Sequence, residues 1–145
     1  MTAEKKIELM NLFNQRAPIA RFFGMRLCFE SDGRAVVELP YNPNLDHALG
    51  GIHGGIYATM LDNAGWFASA VSHEKSCWVA TSEMSFHLFA AAKQTSLRAV
   101  GRIIKSGKRQ DVCEMFLYDE SGQLVAHATG TFIVLPSIPL RRGNS

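Results

Sequence analysis

The residues best suited to chemistry lie in one stretch, "GGIHGGIYATMLDNAGWFASAV", Gly50 to Val71. Four glycines flank His53, and an apolar run follows with a single carboxylate, Asp62, in its middle. An unpartnered ionised carboxylate in a low-dielectric setting costs several kcal/mol or shifts its pKa upward until it neutralises. Asp62 therefore has two readings. It is a catalytic base or nucleophile, which such surroundings suit, or a buried aspartate satisfied by Asn63, Thr59 or a backbone group.

His53-Gly54-Gly55 opens the run. The first turn of a helix carries backbone N–H groups without intrahelical partners, and the helix dipole favours negative charge there. Glycine removes the Cβ that would keep a ligand oxygen from those donors. This is the geometry of an oxyanion hole, although a glycine pair also simply turns corners. Gly54 and Asp62 are eight residues apart, roughly 12 Å along one helix. A reacting atom about 3 Å from both cannot exist within a single chain. If both act on one bond, Asp62 comes from a second subunit, as a two-fold dimer would arrange.

The elements that must hold these groups follow from pattern. Ala, Met and Leu from His53 to about Val71 predict a long helix. It is apolar nearly all round, so one sheet covers only part of it, and the sheet must curl or another subunit must pack there. Gly65 within it implies close approach of another backbone. Before it, Ile7, Met10, Leu12 and Phe13 predict an N-terminal helix over 1–20, closed by Pro18. "GMRLCFE" and "RAVVELPY" read as strands joined at Ser31-Asp32-Gly33. "NPNLDHALGG" reads as a loop.

After the helix, "CWVATSEMSFHLFA", "TSLRAVGRIIKS", "RQDVCEMFLYD" and "GQLVAHATGTFIVLP" predict a meander of four strands. In the first, alternation puts Ala80, Ser82, Met84, Phe86 and Leu88 on one face, and Thr81, Glu83, Ser85 and His87 on the other. The result is one α+β domain over 1–145, with a tail from 136 to 145.

Composition bounds the function. A formal charge of +2 does not point to nucleic acid, and 47% hydrophobic against 19% charged residues is an ordinary globular balance. The longest apolar run, Ile56 to Val71, is shorter than a membrane span and contains Asp62 and Asn63. Cys28, Cys77 and Cys113 read as packed, reduced thiols, which with no recognisable targeting segment predicts a cytoplasmic protein. No histidine shows metal-ligand spacing, so no metal is assigned.

"HGGIYATMLDNA", within "NLDHALGGIHGGIYATMLDNAGW", resembles the signature of hotdog-fold acyl-CoA thioesterases of the PaaI-like (phenylacetic acid degradation) type. The resemblance runs from about Arg21 to Leu135. It implies a long helix wrapped by an antiparallel sheet of about five to six strands, and dimers that pair into homotetramers. The sites then lie between subunits, and CoA enters only as part of the substrate.

By that resemblance Asp62 takes the place of the catalytic acid. The Gly54 amide polarises the thioester carbonyl, and Thr81 orients water. His47 stands where the family often has asparagine. His53, Gly55, Asn63 and Trp66 fall at the substrate, while Lys105, Lys108 and Arg109 of "KSGKRQ" are placed to meet CoA phosphates or to form a solvated turn. Trp66, Phe67, Trp78, Phe86 and Phe89 are candidate acyl-pocket residues. The activity implied is hydrolysis of an acyl- or aryl-CoA thioester. The alternatives are a non-catalytic acyl-CoA-binding protein on the same fold and a hotdog hydratase or dehydratase, whose catalytic-histidine signature this chain lacks.

Overall fold

A computed structural model describes residues 2–140; Met1 and residues 141–145, half of the expected C-terminal tail, lie outside the described residues. The chain begins with α1 (Ala3–Asn11), capped by Thr2, whose side chain accepts from Lys5 N–H. A π-helical turn (Leu12–Arg16) follows, and then α2 (Pro18–Phe23). Pro18 was expected to close the helix. Instead it opens a second one from its first position, where its missing N–H costs nothing. Gly24, at φ +83°, ends α2.

The strands are β1 (Arg26–Phe29), β2 (Ala35–Leu39), β3 (Cys77–Leu88), β4 (Leu97–Ser106), β5 (Gln110–Asp119) and β6 (Leu124–Pro139). They form one antiparallel sheet in the order β1-β2-β4-β5-β6-β3. Only β4-β5-β6 is a meander. β3 does not pair with β4, as a four-strand meander would require, but crosses to the far edge and pairs with β6.

Helix α3 (Gly54–Ser72) lies across this sheet and packs on β2, β3, β4, β5 and β6. The sheet backbone at Gly101 does approach the helix backbone at Ala64 and Gly65, but Gly65 itself makes room for side chains rather than for a backbone. A Cβ there would meet Phe132 Cζ at 2.6 Å and Met115 Sδ at 2.8 Å. Its counterpart on the sheet is Gly101, where a Cβ would sit 2.2 Å from the Ala64 carbonyl oxygen. Met60, Leu61, Phe67, Met115, Leu117 and Phe132 fill the resulting core, each worth about 1.5–3 kcal/mol for a large side chain fully removed from water.

One stripe of α3 stays uncovered: Ala58, Thr59, Asp62, Asn63 and Trp66 are only half-buried. That is the side a single sheet leaves open. Among the described residues no helix is long and apolar enough to cross a membrane. Cys77 and Cys113 are buried, but Cys28 is exposed on the edge strand β1, where the alternation of a four-residue strand turns it outward.

Candidate active site

His53 caps α3 with its own side chain. Its Nδ1 accepts from Gly55 N–H at 2.8 Å, and its carbonyl accepts from Ile56 N–H at 2.9 Å. The Gly54 amide is left with no acceptor among the described residues, so the first turn offers one unengaged donor. Because Nδ1 accepts, the neutral ring carries its proton on Nε2. His53 thus braces the turn, and Gly55 supplies the N–H it braces with.

The turn is pinned from behind. Tyr57, buried on α3, donates its hydroxyl to the Ala90 carbonyl at 3.0 Å and accepts from Ala92 N–H at 2.6 Å. Ile52 N–H bonds Ala92 O at 2.9 Å. Sequence reasoning passed over Tyr57; a lone phenol within an apolar helix was its signal. His47 forms a similar local clasp, its Nδ1 accepting from Leu49 N–H at 3.1 Å. Its Nε2 lies where a Cβ on Gly51 would come within 2.7 Å, so Gly51 makes room for the ring.

Asp62 lies two turns along α3, half-buried, with Oδ1 accepting from Thr81 Oγ1 at 2.7 Å. Neither neighbour named from the sequence satisfies it: Asn63 donates to Thr59 O at 3.0 Å. No lysine, arginine or histidine pairs with it among the described residues. Burial pushes the Asp62 carboxyl above the ordinary aspartate value, and the Thr81 bond pulls it partly back.

Thr81 reaches Asp62 because β3 is irregular. The register with β6 slips between Thr81 and Glu83, a bulge that makes Ser82 an extra residue. Strict alternation placed Thr81 opposite Met84. With the bulge, Val79, Thr81 and Met84 all serve the helix side, while Glu83 bonds Thr131 and Ser82 bonds the Thr131 carbonyl.

Asp62 and Thr81 border an open groove of about 450 Å³ whose other walls are mostly apolar. Trp66, Phe67 and Trp78 are among its lining residues. Their rings form an edge-to-face ladder with Phe13, spaced 5.0 Å (Trp66–Trp78), 4.7 Å (Trp66–Phe67) and 5.1 Å (Phe13–Phe67). Phe86 and Phe89 do not reach the groove. They stand exposed beyond it, near Leu88, whose Cδ1 would be 3.1 Å from a Cβ on Gly54.

The groove's outer wall is a surprise. Phe13, Ala17 and Ile19 come from the N-terminal arm. Asn14 holds that arm in place, its side chain pairing with both Leu27 N–H (2.7 Å) and Leu27 O (3.0 Å) as a strand would.

Lys105, Lys108 and Arg109 are exposed at the β4–β5 turn, beside the other end of α3. Asp111 anchors that turn. Fully buried, it accepts from Ser69 Oγ (2.6 Å), Ser106 Oγ (3.0 Å) and Gly107 N–H (3.1 Å), and pairs with His73 Nε2 at 2.6 Å. Ser69 and His73 meet the same carboxylate rather than each other, so this is a structural clasp and no nucleophile–base pair. Its signal was the alternation of β5, which puts Asp111 in phase with Cys113, Met115 and Leu117.

Within one chain, then, Asp62, Thr81, Asn63 and Trp66 gather at the groove, while His47, His53, Gly54 and Gly55 gather at the start of α3. The cationic turn is apart from both.

Comparison with known proteins agrees with this architecture. Residues 49–126 match the model of the thioesterase superfamily. A Saccharolobus solfataricus protein, by name a candidate esterase, is 27% identical over 124 residues, covering 86% of this chain and 88% of its own. The 1,4-dihydroxy-2-naphthoyl-CoA hydrolase of Listeria monocytogenes is 25% identical over 111 residues, 77% of this chain and 90% of its own. The E. coli PaaI protein of the phenylacetic acid degradation operon shares the fold, with a TM-score of 0.85 at 16% identity, covering 95% of this chain and 99% of that one. With the family match spanning more than half of its residues, this chain belongs to the thioesterase superfamily, as a hotdog-fold member of the thioester hydrolase class.

Proposed function

We propose that the protein hydrolyses acyl-CoA thioesters, with Asp62 as general base and the Gly54 amide of a second copy as oxyanion donor. The observation that carries this reading is the Asp62–Thr81 pair: a half-buried carboxylate with no cation among the described residues, held by a hydroxyl at 2.7 Å on the rim of an apolar groove.

The hydrogen-bond directions favour water activation over direct attack. Thr81 spends its proton on Asp62 Oδ1, so the Thr81 oxygen and Asp62 Oδ2 are both acceptors. A water donating to both turns its lone pair outward, toward the thioester carbon. As it attacks, Asp62 takes its proton, and the carbonyl oxygen becomes an oxyanion against the Gly54 N–H. The C–S bond then breaks, and the proton on Asp62 passes to the departing thiolate.

Two features favour assembly of the site from two copies. The uncovered stripe of α3 carries Asp62, and the exposed edge strand β3 carries Trp78, Phe86 and Leu88 beside an unpaired row of backbone groups. A two-fold dimer, or a pair of dimers, would cover both. His47 then serves as a further donor through Nε2, and the exposed Lys105, Lys108 and Arg109 are the cations available to CoA phosphates.

The test is thiol release from a panel of acyl-CoAs by wild type and Asp62→Asn. Loss of turnover with retained binding supports the reading; binding without turnover by wild type makes the protein a carrier instead. Single turnover in H₂¹⁸O should label the acid product and leave Asp62 unlabelled. Label in Asp62 would replace the general base with a nucleophile.

A further inference from the structure

Among the described residues the one charged side chain at the groove is Asp62. Trp66 Nε1–H is committed to Val79 O at 2.6 Å, and Thr81 O–H to Asp62. Asn63 Nδ2 is directed to Thr59 O and Met25 Sδ. What remains uncommitted is Asp62 Oδ2, Asn63 Oδ1, the lone pairs of Thr81 and the neutral indole N–H of Trp78. No lysine, arginine or histidine among the described residues lines the groove. A carboxylate placed there would lose its hydration, face the negative charge of Asp62 and find no counter-charge among the described residues, with one neutral indole N–H as its side-chain donor. An apolar group would instead meet the Trp66–Trp78 pair on one side and the N-terminal arm on the other.

From this we infer that the groove is the acyl subsite, selective for uncharged apolar acyl groups larger than acetyl and closed to acyl groups with a second carboxylate, with Ala17 and Ile19 of the N-terminal arm setting its width. The inference rests on the hydrolase reading for its substrate but not for its geometry. Volume supports the size preference: about 450 Å³ is in the range of sites that enclose small molecules (about 300–1,000 Å³) and far exceeds what an acetyl group fills. The arm is a fitting gauge. Ala17 joins the π turn to α2 in extended backbone (φ −82°, ψ 114°), which accepts any side chain, and Ile19 remains 46% exposed.

The experiment compares kcat/KM for acetyl-, valeryl-, octanoyl- and succinyl-CoA in wild type, Ala17→Phe and Ala17→Arg. Valeryl and succinyl are close in size and differ in charge. Wild type should favour octanoyl over acetyl at least tenfold and valeryl over succinyl at least a hundredfold. Ala17→Phe should cut the octanoyl-to-acetyl ratio at least tenfold, and Ala17→Arg should raise the succinyl-to-valeryl ratio. Equal use of succinyl and valeryl by wild type, or a parallel change across the panel in Ala17→Phe, overturns the inference and leaves the hydrolase reading intact. If no ester turns over, quenching of Trp66 and Trp78 fluorescence by the thioether S-octyl-CoA decides. Quenching that Ala17→Phe weakens keeps the subsite and removes the hydrolase; absence of quenching removes the subsite.

Discussion

Thr81 Oγ1 donates to Asp62 Oδ1 at 2.7 Å, tying the bulged edge strand to the central helix at the point where the groove begins. The bond selects which carboxylate oxygen stays free and opposes the upward push of burial on the carboxyl. Thr81→Val removes it. The Asp62 pKa then rises further, and because the ionised form is the base, the acid limb of the kcat/KM profile moves to higher pH. At pH above that limb the loss should be about tenfold, the worth of one hydrogen bond to a charged group. Thr81→Ser should restore both limb and rate. A limb that stays put in the valine variant would separate Thr81 from the chemistry.

Asp62→Asn should lower kcat by roughly 10²–10⁴, the usual contribution of a positioned base, and should also stabilise the fold. The folded-state pKa of Asp62 lies above its unfolded value. Between those values the folded state binds the proton more, so stability falls as pH rises, and the penalty is complete above the folded pKa. Asparagine carries no such penalty. The variant's melting temperature should exceed wild type at pH 8 and converge with it below about pH 3.9. A difference independent of pH would mean that desolvation of the charge is not the cause.

Much of this arrangement could be read in the sequence, because it depends on local pattern. The helix from His53 shows in its composition, the unengaged amide in its glycines, and Asp62 in being the lone charge of an apolar run. What escaped is non-local. Nothing near β3 says that it will cross to the far edge beside β6, and the bulge at Ser82 arises only against that partner, so strict alternation set Thr81 and Met84 on opposite faces although both turn to the helix. Pro18 is equally at home ending a helix or starting one, and only the packing of the arm on the groove shows which. Asp111 was legible in its phase with Cys113 and Met115, but two of its four partners come from the distant end of α3.

The contact between α3 and β4 sets a strict limit at Gly101. An added Cβ would overlap the Ala64 carbonyl at 2.2 Å, and backbone on both sides cannot yield. Gly101→Ala should therefore cost about 3 kcal/mol or more, at the upper end of overpacking. Gly65→Ala meets only the ends of Phe132 and Met115 and should cost less, about 1–3 kcal/mol. Urea unfolding of the two variants measures the order, and a reversed order would contradict this docking.

Asp111 should matter to stability and not to the chemical step. Asp111→Ala leaves Ser69, Ser106, the Gly107 amide and His73 without their common acceptor. Of these donors Ser69 is fully buried and the others reach solvent, so the loss should cost about 1–3 kcal/mol. At a temperature where the variant is folded, kcat for a short acyl-CoA should be close to wild type. A kcat loss as large as that of Asp62→Asn in fully folded protein would assign Asp111 to the reaction.

The spacing of Gly54 and Asp62 makes a prediction about two chains at once. Gly54 is the first residue of α3, and His53 before it is extended (φ −60°, ψ 136°), which is the backbone a following proline requires. Proline is also favoured at the first helical position. Gly54→Pro therefore deletes the unengaged N–H in a backbone that suits it, and the added Cβ meets only the flexible end of Leu88 at 3.1 Å. Alone, Gly54→Pro should lower kcat by about 10²–10³, the cost of losing one oxyanion donor. Asp62→Asn alone should also be nearly inactive. If each site takes its amide from one copy and its carboxylate from the other, unfolding and refolding the two variants together makes mixed dimers with one intact site. Random pairing of equal amounts makes roughly half the dimers mixed, so activity should recover to about a quarter of wild type. A mixture no more active than its components would mean that the amide and the carboxylate never serve the same bond from different chains.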